Sequence, residues 1–440
     1  MVKLLIIADD FTGALDTGVQ FAASGAETRV VTNINYDFDH VKETVQVLVL
    51  DAETRHLDSE DAYNTVFDIT KRACRCKIPY IYKKTDSALR GNIGSELKAV
   101  LDAAKYPTLH FLPALPKMNR ITKDGMHYVD GVSVHESIFG KDLFEPVTCS
   151  YIPDMMPELI PVTVVNTSEQ WQRSDGIMIY DAAADEELLT LGKLLMKEDE
   201  LHITAGCAGF GAVLPELLGL TGQKQKEAAQ SERFLIACGS VNPITKRQLD
   251  FAEQDGFIRI RLNSRQKLDE RYYRTKAGIK DLETWKDLCT TEKRCMLDTN
   301  DLPGRRDTLD YAEANHMTLE ELRVRISTTL GYIVKELVNM GVDSTLLITG
   351  GDCLVGFMKH IGCDEITPVC EMAPGTVLSK IETKDRELRV ISKSGGFGTE
   401  QLFTDLAKMI LDKKVSEEQE LEEPISERQI SKAEKEKKVC

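Results

Sequence analysis

Short apolar runs alternate with segments of helical periodicity along most of the chain. In the first half, the runs predict buried strands and the segments between them predict helices. The predicted strands are Leu4–Ala8, Thr28–Val31, Val45–Leu50, Tyr80–Lys83, Leu109–Leu112, Ile177–Tyr180 and His202–Thr204, and the predicted helices are Gly13–Ala23, Ser59–Ala73 and Asn92–Ala104. Strands that alternate with helices need crossover connections, so the pattern predicts a largely parallel sheet covered by helices.

A second series of the same kind follows the polar stretch 222–232, which we interpret as a linker. Its predicted strands are Phe234–Cys238, Phe257–Leu262, Thr345–Thr349 and Leu388–Ser392, and its predicted shorter helices are Ile244–Ala252 and Thr399–Leu411. Thr318 and Glu321 have the spacing of a capping box that opens a long helix to Met340. The stretch 265–315 is charged and predicts irregular structure, except for a strand at Arg294–Asp298.

These two series predict an α/β fold of two doubly wound domains, whose mainly parallel sheets face an interdomain cleft. We expect the first domain at 1–224 and the second at 230–412. The charged tail at 415–440 has few apolar residues, which is typical of a solvated extension.

Composition narrows the class of partner. The 440 residues include 55 Lys and Arg against 71 Asp and Glu, a formal charge of −16, which disfavours nucleic acid and membrane surfaces as partners. No apolar run approaches the ~18 residues of a membrane-spanning helix, and the N-terminus lacks the pattern of a signal peptide. The eleven cysteines are scattered and form no zinc pattern, so we expect reduced thiols and a cytoplasmic protein.

Polar groups follow the predicted strands of the first half, where ligands bind in doubly wound sheets. Asp10 follows the first strand and either caps the next helix or binds a polyol or a metal. Arg55 follows the third strand and is either a surface arginine or a planar fork for an anion. The fourth strand runs into a dense group of charges and hydroxyls, Lys83, Lys84, Thr85, Asp86 and Arg90.

That dense group is either a solvated loop or an anion site at a helix start. It lies in a segment, 80–123, with eight Lys and Arg against three Asp and Glu, so the local charge is +5 within an acidic chain. The fifth strand is also followed by a basic, turn-rich loop, Asn119-Arg120-Ile-Thr-Lys123, so four strand ends direct polar groups to one edge and we favour a binding site.

The second half carries glycine-rich turns between strands and helices. Gly239-Ser240, Gly350-Gly351-Asp352-Cys353 and Gly395-Gly396 each follow a predicted strand. One such turn is typical of plain packing, but three in one domain indicate a nucleotide site, since glycine lets backbone N–H groups approach phosphate. The chain lacks both a Walker A motif and a complete dinucleotide fingerprint.

Several long motifs in order resemble those of the four-carbon acid sugar kinase family over roughly residues 1–410. They are Ala8-Asp-Asp-Phe-Thr-Gly-Ala14, Asp16-Thr-Gly-Val-Gln20, Lys84-Thr-Asp-Ser-Ala-Leu-Arg-Gly-Asn-Ile-Gly94, Thr349-Gly-Gly-Asp352 and Lys393-Ser-Gly-Gly-Phe-Gly398. The resemblance implies an N-terminal domain that binds a sugar acid, a C-terminal domain that binds ATP, and 4-phosphorylation of a tetronate. The 16–20 stretch, with Thr54-Arg55, is more similar to the D-threonate branch than to the 3-oxo-tetronate branch; D-erythronate is the next candidate.

The resemblance also implies site residues. The implied substrate contacts are Asp10, Arg55, Lys83, Lys84, Thr85, Asp86 and Arg90, and the implied ATP contacts are Ser240, Gly350, Gly351, Asp352, Cys353, Gly395 and Gly396. Arg55 or Arg90 would clamp the sugar carboxylate. Cys353-Leu354 departs from the family pattern, which has Thr or a small residue and then Ala.

The family reaction needs a base and a way to neutralise phosphate charge. The base would be Asp86, Asp10 or Asp352, with Mg²⁺ bridging the ATP phosphates through ligands that the sequence leaves open. A homodimer is also considered. Two other functions share the α/β architecture, an NAD-dependent hydroxy-acid dehydrogenase and a non-catalytic sugar-acid sensor. The missing dinucleotide fingerprint disfavours the first, and the retained glycines and aspartates disfavour the second.

Overall fold

Alternating strands and helices build the N-terminal half of the computed structural model, which describes residues 2–142, 145–222 and 231–411. The strands are β1 Leu4–Ala8, β2 Thr28–Val31, β3 Val47–Asp51, β4 Tyr80–Lys84, β5 Thr108–Leu112, β6 Arg120–Lys123, β7 Met126–Val129, β8 Val132–Ser133, β9 Val162–Val165, β10 Gly176–Tyr180 and β11 Ile203–Gly206. The helices are α1 Phe11–Ala23, α2 Ser59–Arg75, α3 Ile93–Ala104, α4 Asp185–Lys197, α5 Ala208–Gly211 and α6 Leu214–Leu217.

The C-terminal half repeats the alternation and adds an antiparallel hairpin. Its strands are β12 Phe234–Cys238, β13 Ile258–Arg261, β14 Arg294–Asp298, β15 Thr345–Thr349, β16 Glu365–Ala373, β17 Thr376–Glu382 and β18 Glu387–Lys393. Its helices are α7 Pro243–Gln254, α8 Ser264–Leu268, α9 Lys276–Thr291, α10 Asp307–Ala314, α11 Leu319–Asn339, α12 Gly351–His360 and α13 Leu402–Leu411.

Fifteen of the described strands form one sheet in the order β13-β14-β12-β15-β18-β17-β16-β2-β3-β1-β4-β11-β5-β10-β9. Neighbouring strands are parallel from β13 to β18 and again from β2 to β9, while β16 and β17 are antiparallel to their neighbours. The predicted α/β class with mainly parallel pairing is confirmed. The domain boundaries at 224 and 230 stay predictions.

The two parallel blocks run in opposite directions, because three antiparallel pairs separate β2 from β18. Sheet twist turns neighbouring strands by about 20–25° per step, and six steps lead from β1 to β15. The accumulated rotation brings the carboxyl end of β15 back towards that of β1. The start of α1 therefore meets the start of α12, and α1 also packs on β16.

A continuous apolar core joins the two halves on one face of the sheet. It includes Leu4 and Phe11 of the first half, Ile366 at the connecting strand, and Leu330 and Phe357 of the second half. All five side chains are buried. This shared core fixes how the loops of one half lie against those of the other.

The prediction of irregular structure for 265–315 is wrong. Helix α9 occupies part of it; Thr275 caps the helix by accepting from the Gly278 N–H at 3.2 Å. Leu282, Trp285 and Cys289 are buried at helical spacing, and most of the other residues of the helix are polar or charged. The narrow apolar stripe explains why charge dominated the sequence pattern.

Other differences concern short strands and residues outside the description. The sequence pattern did not predict the small antiparallel sheet β6–β8 or the β16–β17 hairpin. The predicted capping box is confirmed, since the Glu321 N–H donates to Thr318 Oγ1 at 3.1 Å and the Thr318 N–H donates to Glu321 at 2.8 Å. The tail at 415–440 and most of the linker at 222–232 lie outside the described residues.

Candidate active site

Asp10 caps helix α1, and its carboxylate also forms an ion pair with the guanidinium group of Arg55. Its Oδ1 accepts from the Gly13 N–H at 3.0 Å, and its two oxygens lie 2.8 and 2.9 Å from guanidinium nitrogens of Arg55. Asp10 therefore does cap the helix, which was one of the two roles considered for it from the sequence. The side chain keeps 25% of its surface exposed, so it remains accessible to a ligand.

Arg55 gathers three carboxylates from neighbouring strand ends. Its Nε donates to Asp9 Oδ2 at 2.9 Å, its Nη1 donates to Asp10 at 2.9 Å, and its Nη2 lies 3.7 Å from Asp86 Oδ1. Burial lowers the pKa of Arg55, but the three carboxylates more than reverse this and hold the group charged. Arg55 is thus a buried organising cation, and the surface alternative is wrong.

Asp86 is held by a second arginine. Arg90 donates from Nε and Nη2 at 2.9 Å to the two oxygens of Asp86, and the Ala88 N–H adds a bond at 3.1 Å. Burial raises the pKa of Asp86, but Arg90 and Arg55 hold it well below its usual range. A carboxylate stabilised in its charged form in this way is a poor proton acceptor.

Lys83 and Lys84 point to opposite faces of β4, because side chains alternate along a strand. Lys83 is fully buried, 3.1 Å from Glu96 Oε2, and donates to the Lys84 carbonyl at 2.8 Å. Lys84 Nζ lies 3.8 Å from Asp9 Oδ1 and against α1, where a β-carbon on Gly13 would approach it to 2.3 Å. The structure thus brings Lys84, and not Lys83, to Asp10.

Lys84 has no hydrogen-bond acceptor among the described residues, although its side chain is only 6% exposed. Burial lowers its pKa, but Asp9 and Asp10 raise it above the usual value, so the ammonium group stays charged. Thr85, the next residue, is buried, and its hydroxyl is likewise without a partner in the described ranges. An uncommitted cation and hydroxyl therefore sit beside Asp10.

Arg120 joins this group from the start of β6, the strand that follows β5 along the chain. It donates to the Ser87 hydroxyl, and both Arg120 and Arg90 lie over the Phe139 ring, at 5.0 and 5.3 Å from its centroid. The predicted site residues did not include Arg120; its position after the fifth strand was the signal for it. A cavity of about 380 Å³ opens on the other side of Arg90, at the start of α3.

The glycine-rich turns of the second half come together. A β-carbon on Gly395 would lie 3.0 Å from Ser240 Oγ, and one on Gly396 would lie 3.8 Å from Asn242 Nδ2. Gly350 has a φ of +89°, which favours glycine, and caps helix α12. Ser240, Gly395 and the start of α12 thus surround one region that is rich in backbone N–H groups.

Lys393 fixes the orientation of the peptide groups in the turn at residues 394–397. Its Nζ donates to the carbonyls of Ser394 and Gly395 at 2.9 and 3.3 Å, and Thr245 Oγ1 donates to the Gly395 carbonyl at 2.9 Å. In a trans peptide the N–H points opposite to the C=O. The N–H groups of Gly395 and Gly396 therefore point away from Lys393, and within the described residues neither has an acceptor. Paired free N–H groups of this kind bind phosphate oxygens.

Cys353 serves packing. Its side chain is buried, and a β-carbon on Gly239 would approach Cys353 Sγ to 2.1 Å. Burial raises the pKa of the thiol, which stays protonated. The departure from the family pattern at this position is therefore accommodated by the glycine opposite, and any nucleotide contact of Cys353 would involve its backbone.

The charged residues around Asp10 and the glycine-rich turns of the C-terminal half meet where helices α1 and α12 begin. We call this region the junction. A β-carbon on Gly351 would lie 2.9 Å from Thr12 Oγ1. Asp352, the next residue, accepts from Arg323 Nη1 at 2.6 Å, and Arg323 reaches His56 of the N-terminal half at 3.5 Å. Asp10 of the N-terminal half and Asp352 of the C-terminal half thus lie on adjoining turns.

A Mg²⁺ ion fits the chemistry of the junction without a dedicated cage. The described residues contain no group of three or more His, Cys, Asp or Glu side chains placed to hold a metal. Mg²⁺ that is bound with a nucleotide usually takes one or two carboxylates and completes its shell with phosphate oxygens and water. Asp352 is the carboxylate at the junction that would serve as the protein ligand in that arrangement.

Two sequence profiles match the chain. One, described as a sugar-binding N-terminal domain, matches residues 4–214, and the other, described as a nucleotide-binding C-terminal domain, matches residues 235–403. A D-threonate kinase of Salmonella typhimurium is 27% identical over 92% of this chain and 97% of its own length. A D-erythronate kinase of Heliobacterium modesticaldum is 24% identical over 94% of this chain and 98% of its own.

Solved structures share the fold. A Salmonella typhimurium protein superimposes with a TM-score of 0.75 at 19% identity, over 92% of this chain and 99% of that one. A Haemophilus influenzae protein superimposes with a TM-score of 0.69 at 18% identity, over 92% of this chain and 100% of that one. The whole described architecture is therefore that of known α/β proteins.

The two profile matches and the curated relatives define a kinase with a sugar-binding N-terminal domain and a nucleotide-binding C-terminal domain. The chain belongs to the four-carbon acid sugar kinase family, and it is an ATP-dependent enzyme. The dehydrogenase and sensor alternatives are set aside. Within residues 2–142, 145–222 and 231–411, we find no helix with the length and apolar character of a membrane span.

Proposed function

We propose that the protein transfers the γ-phosphoryl group of ATP to the 4-hydroxyl of a four-carbon sugar acid, with D-threonate as the preferred substrate and D-erythronate next. The observation that carries the proposal is the packing of Gly351 against Thr12, because it joins the loop of Asp10 to the glycine turn that begins α12. The 27% identical D-threonate kinase favours D-threonate, as does the Asp16–Gln20 stretch.

The sugar acid needs a cation for its carboxylate and acceptors for its hydroxyls. Aspartates occupy the forks of Arg55 and Arg90, which were the expected clamps. Lys84 has uncommitted donors, so it is the better candidate for the carboxylate. Asp10, partly exposed, would accept from the substrate hydroxyls, while Arg55 holds it in place.

The nucleotide would lie across the turns of the second half. The free N–H groups of Gly395 and Gly396 would bind phosphate oxygens, together with Ser240 and the backbone at the start of α12. Mg²⁺, when bound, neutralises charge on the β- and γ-phosphates, and Asp352 would be its protein ligand. Arg323 positions Asp352, since its Nη1 donates to that carboxylate at 2.6 Å.

Three finer expectations stay proposals. A 3-oxo-tetronate is the alternative substrate, because kinases for it are also among the relatives, such as one from Brucella melitensis at 24% identity over 93% of this chain. A homodimer and a cytoplasmic location are the other two. The scattered cysteines favour the cytoplasm: ten of the eleven lie in the described ranges, and all ten are free thiols.

An ADP-release assay tests the proposal. The purified protein is given Mg-ATP with D-threonate, D-erythronate, L-threonate or a 3-oxo-tetronate, and ADP is followed by a coupled enzyme reaction. We expect the highest kcat/KM with D-threonate. Preference for a 3-oxo-tetronate would replace the substrate within the family, and no ADP release with any tetronate would contradict the proposed function.

A further inference from the structure

The three aspartates expected to supply the catalytic base are all paired with arginine. Asp86 is held by Arg90 in two bonds at 2.9 Å, Asp10 lies 2.8 Å from Arg55, and Asp352 accepts from Arg323 at 2.6 Å. The hydrogen bonds from arginine occupy carboxylate oxygens that a general base would need for the substrate hydroxyl, and around Asp86 the arginines Arg90 and Arg55 also hold the pKa well below its usual range. The reaction under "Proposed function", on which this inference rests, needs a different acceptor for the hydroxyl proton.

Asp16 lies on helix α1, three residues after Gly13, and therefore on the same face of the helix. That face meets Lys84, whose Nζ would lie 2.3 Å from a β-carbon on Gly13. The Asp16 carbonyl accepts from the Gln20 side chain at 3.4 Å. The Asp16 carboxylate itself has neither a hydrogen bond nor an ion pair among the residues that the structure describes, and it is partly exposed.

Both halves of the protein surround Asp16. Helix α1 packs on β4, which carries Lys84, and on β16 of the C-terminal half, which carries Glu371. The Gly375 N–H donates to Glu371 at 3.3 Å, and a β-carbon on Gly375 would touch the Phe397 ring of the phosphate-side turn at 2.6 Å. Asp16 therefore lies between the sugar-side cation and the hairpin that supports the 394–397 turn.

The electrostatic surroundings of Asp16 suit proton transfer. Burial raises its pKa to about 7, Asp10 and Glu371 act in the same direction, and Lys84 opposes them. The other elements packed on α1, namely β1, β2, β3, α5, α12, β17 and β18, add no charge that shifts this pKa within the described residues. A base whose pKa lies near the working pH accepts a proton in the transition state and releases it afterwards.

We propose that Asp16 is the general base of the phosphoryl transfer. Its carboxylate accepts the proton of the substrate 4-hydroxyl while that oxygen forms a bond to the γ-phosphorus. The bond from the γ-phosphorus to the β,γ-bridging oxygen breaks, and ADP leaves with the electron pair. The proton remains on the Asp16 carboxyl until the product departs, and then passes to solvent.

The test compares the wild type with Asp16→Asn and with Asp68→Asn, a matched change at an exposed aspartate of α2 that pairs with Arg72. General base catalysis contributes roughly 10²–10⁴-fold, so we expect Asp16→Asn to lower kcat at least 100-fold. Its Kd values for ATP and D-threonate should stay within about threefold, because no substrate atom loses a binding partner that Asn cannot replace. Asp68→Asn should match the wild type.

The pH profile separates a base from a structural residue. In the wild type, kcat should fall as the pH drops below about 7. Glu371→Gln removes a negative charge near Asp16 and should therefore lower the pKa of Asp16. The decrease in kcat on the acidic side should then begin at a lower pH than in the wild type. The ionised Asp16 side chain costs stability, because burial favours the protonated form, and Asp16→Asn should therefore melt no lower than the wild type at pH 8.

The outcomes distinguish this inference from the proposed function. An active wild type with an Asp16→Asn variant that keeps more than a tenth of kcat would overturn the role of Asp16 alone. An unchanged acidic limb in Glu371→Gln would also count against it. A wild type that releases no ADP with any tetronate would overturn the proposed function and, with it, this inference.

Discussion

Gly351 packs directly on Thr12, with room for a hydrogen but not for a methyl group: a β-carbon there would lie 2.9 Å from Thr12 Oγ1. The two residues begin helices that belong to different halves of the chain. Their contact sets how far the Asp10 loop lies from the glycine turn at 350–351. Phosphoryl transfer depends on in-line placement, so we expect the rate of the proposed reaction to depend on this packing distance.

Gly351→Ala should therefore lower kcat while the protein stays folded. Misplacement of reacting groups by about 1 Å costs about 100-fold in rate, so we expect a loss of 10- to 100-fold. Thr12→Ala removes the opposing hydroxyl, and the double variant Thr12→Ala/Gly351→Ala should recover part of the lost kcat. Equal kcat in Gly351→Ala and the wild type would show that the contact does not control the geometry.

Substitutions of the adjacent residues Lys83 and Lys84 should have different effects. Loss of Lys83 should mainly reduce stability, and loss of Lys84 should mainly weaken substrate binding. Lys83→Met leaves Glu96 buried without its cation, which costs about 3–5 kcal/mol of the free energy of unfolding. Lys84→Met removes a cation whose only described ion pair, with Asp9 at 3.8 Å, is long, and Asp9 keeps its pair with Arg55, so the loss of stability should be smaller than in Lys83→Met, while KM for the sugar acid rises at least tenfold. Chemical denaturation and steady-state kinetics on both variants measure this. A Lys84→Met protein with unchanged KM would remove Lys84 from the substrate site.

Arg55→Ala should destabilise the fold and abolish activity together. It leaves Asp9 and Asp86 buried without Arg55, at a cost of about 3–5 kcal/mol in the free energy of unfolding. Arg306→Ala is the matched control, because its pair with Glu313 is 62% and 70% exposed; it should cost less than about 1 kcal/mol. Urea denaturation at pH 7 compares the two. Similar losses in both variants would contradict the buried network.

The acid dependence of stability follows from the same network. Arg55 and Lys84 hold the pKa of Asp9 below its usual value against the effect of burial, and Arg90 and Arg55 do the same for Asp86. Carboxyl groups with lowered pKa stabilise the fold above about pH 4, their unfolded value, and this contribution disappears as the pH falls through the folded pKa. Denaturation of the wild type between pH 7 and pH 2 should show its loss below pH 4. A flat curve would contradict the lowered pKa values.

The lowered pKa of Lys393 predicts a second pH dependence of stability, at basic pH. Burial lowers its pKa from 10.5 to about 8. Between these values the unfolded chain binds more protons than the folded one, so the contribution of Lys393 to stability increases as the pH rises from 8 to 10.5. The melting temperature of the wild type minus that of Lys393→Met should therefore increase over this range. A difference that is constant with pH would show that the folded pKa is not lowered.

The sequence predicted seven strands and three helices of the first half, β1–β5, β10, β11 and α1–α3, because their apolar runs are distinct and their turns are polar, but it did not predict β6–β9 or α4–α6. It did not predict α9, in which the buried side chains Leu282, Trp285 and Cys289 form a narrow stripe among charges. It also did not predict β16, which contains Pro368 and alternates little. That strand joins the two parallel blocks, so the way the halves meet could not be predicted from local patterns.

The candidate site was predicted as a set of loops, and the structure sorts its members. Strand alternation separates Lys83 from Lys84, a distinction that needed the register of β4 and the position of Glu96. The arginine partners of Asp10, Asp86 and Asp352 come from distant parts of the chain or from local turns whose geometry the sequence does not specify. Asp16 lies within one of the motifs that carry the family resemblance, but only its position between Lys84 and Glu371 indicates a role.

The product of the reaction tests the central claim most directly. Wild-type protein is incubated with D-threonate and Mg-ATP, and the product is examined by phosphorus–proton correlation NMR. We predict one phosphate ester whose phosphorus couples to the two protons on carbon 4, formed in the same amount as ADP. ADP without an ester, or an ester whose phosphorus couples to the proton on carbon 2 or carbon 3, would contradict 4-phosphorylation of the tetronate.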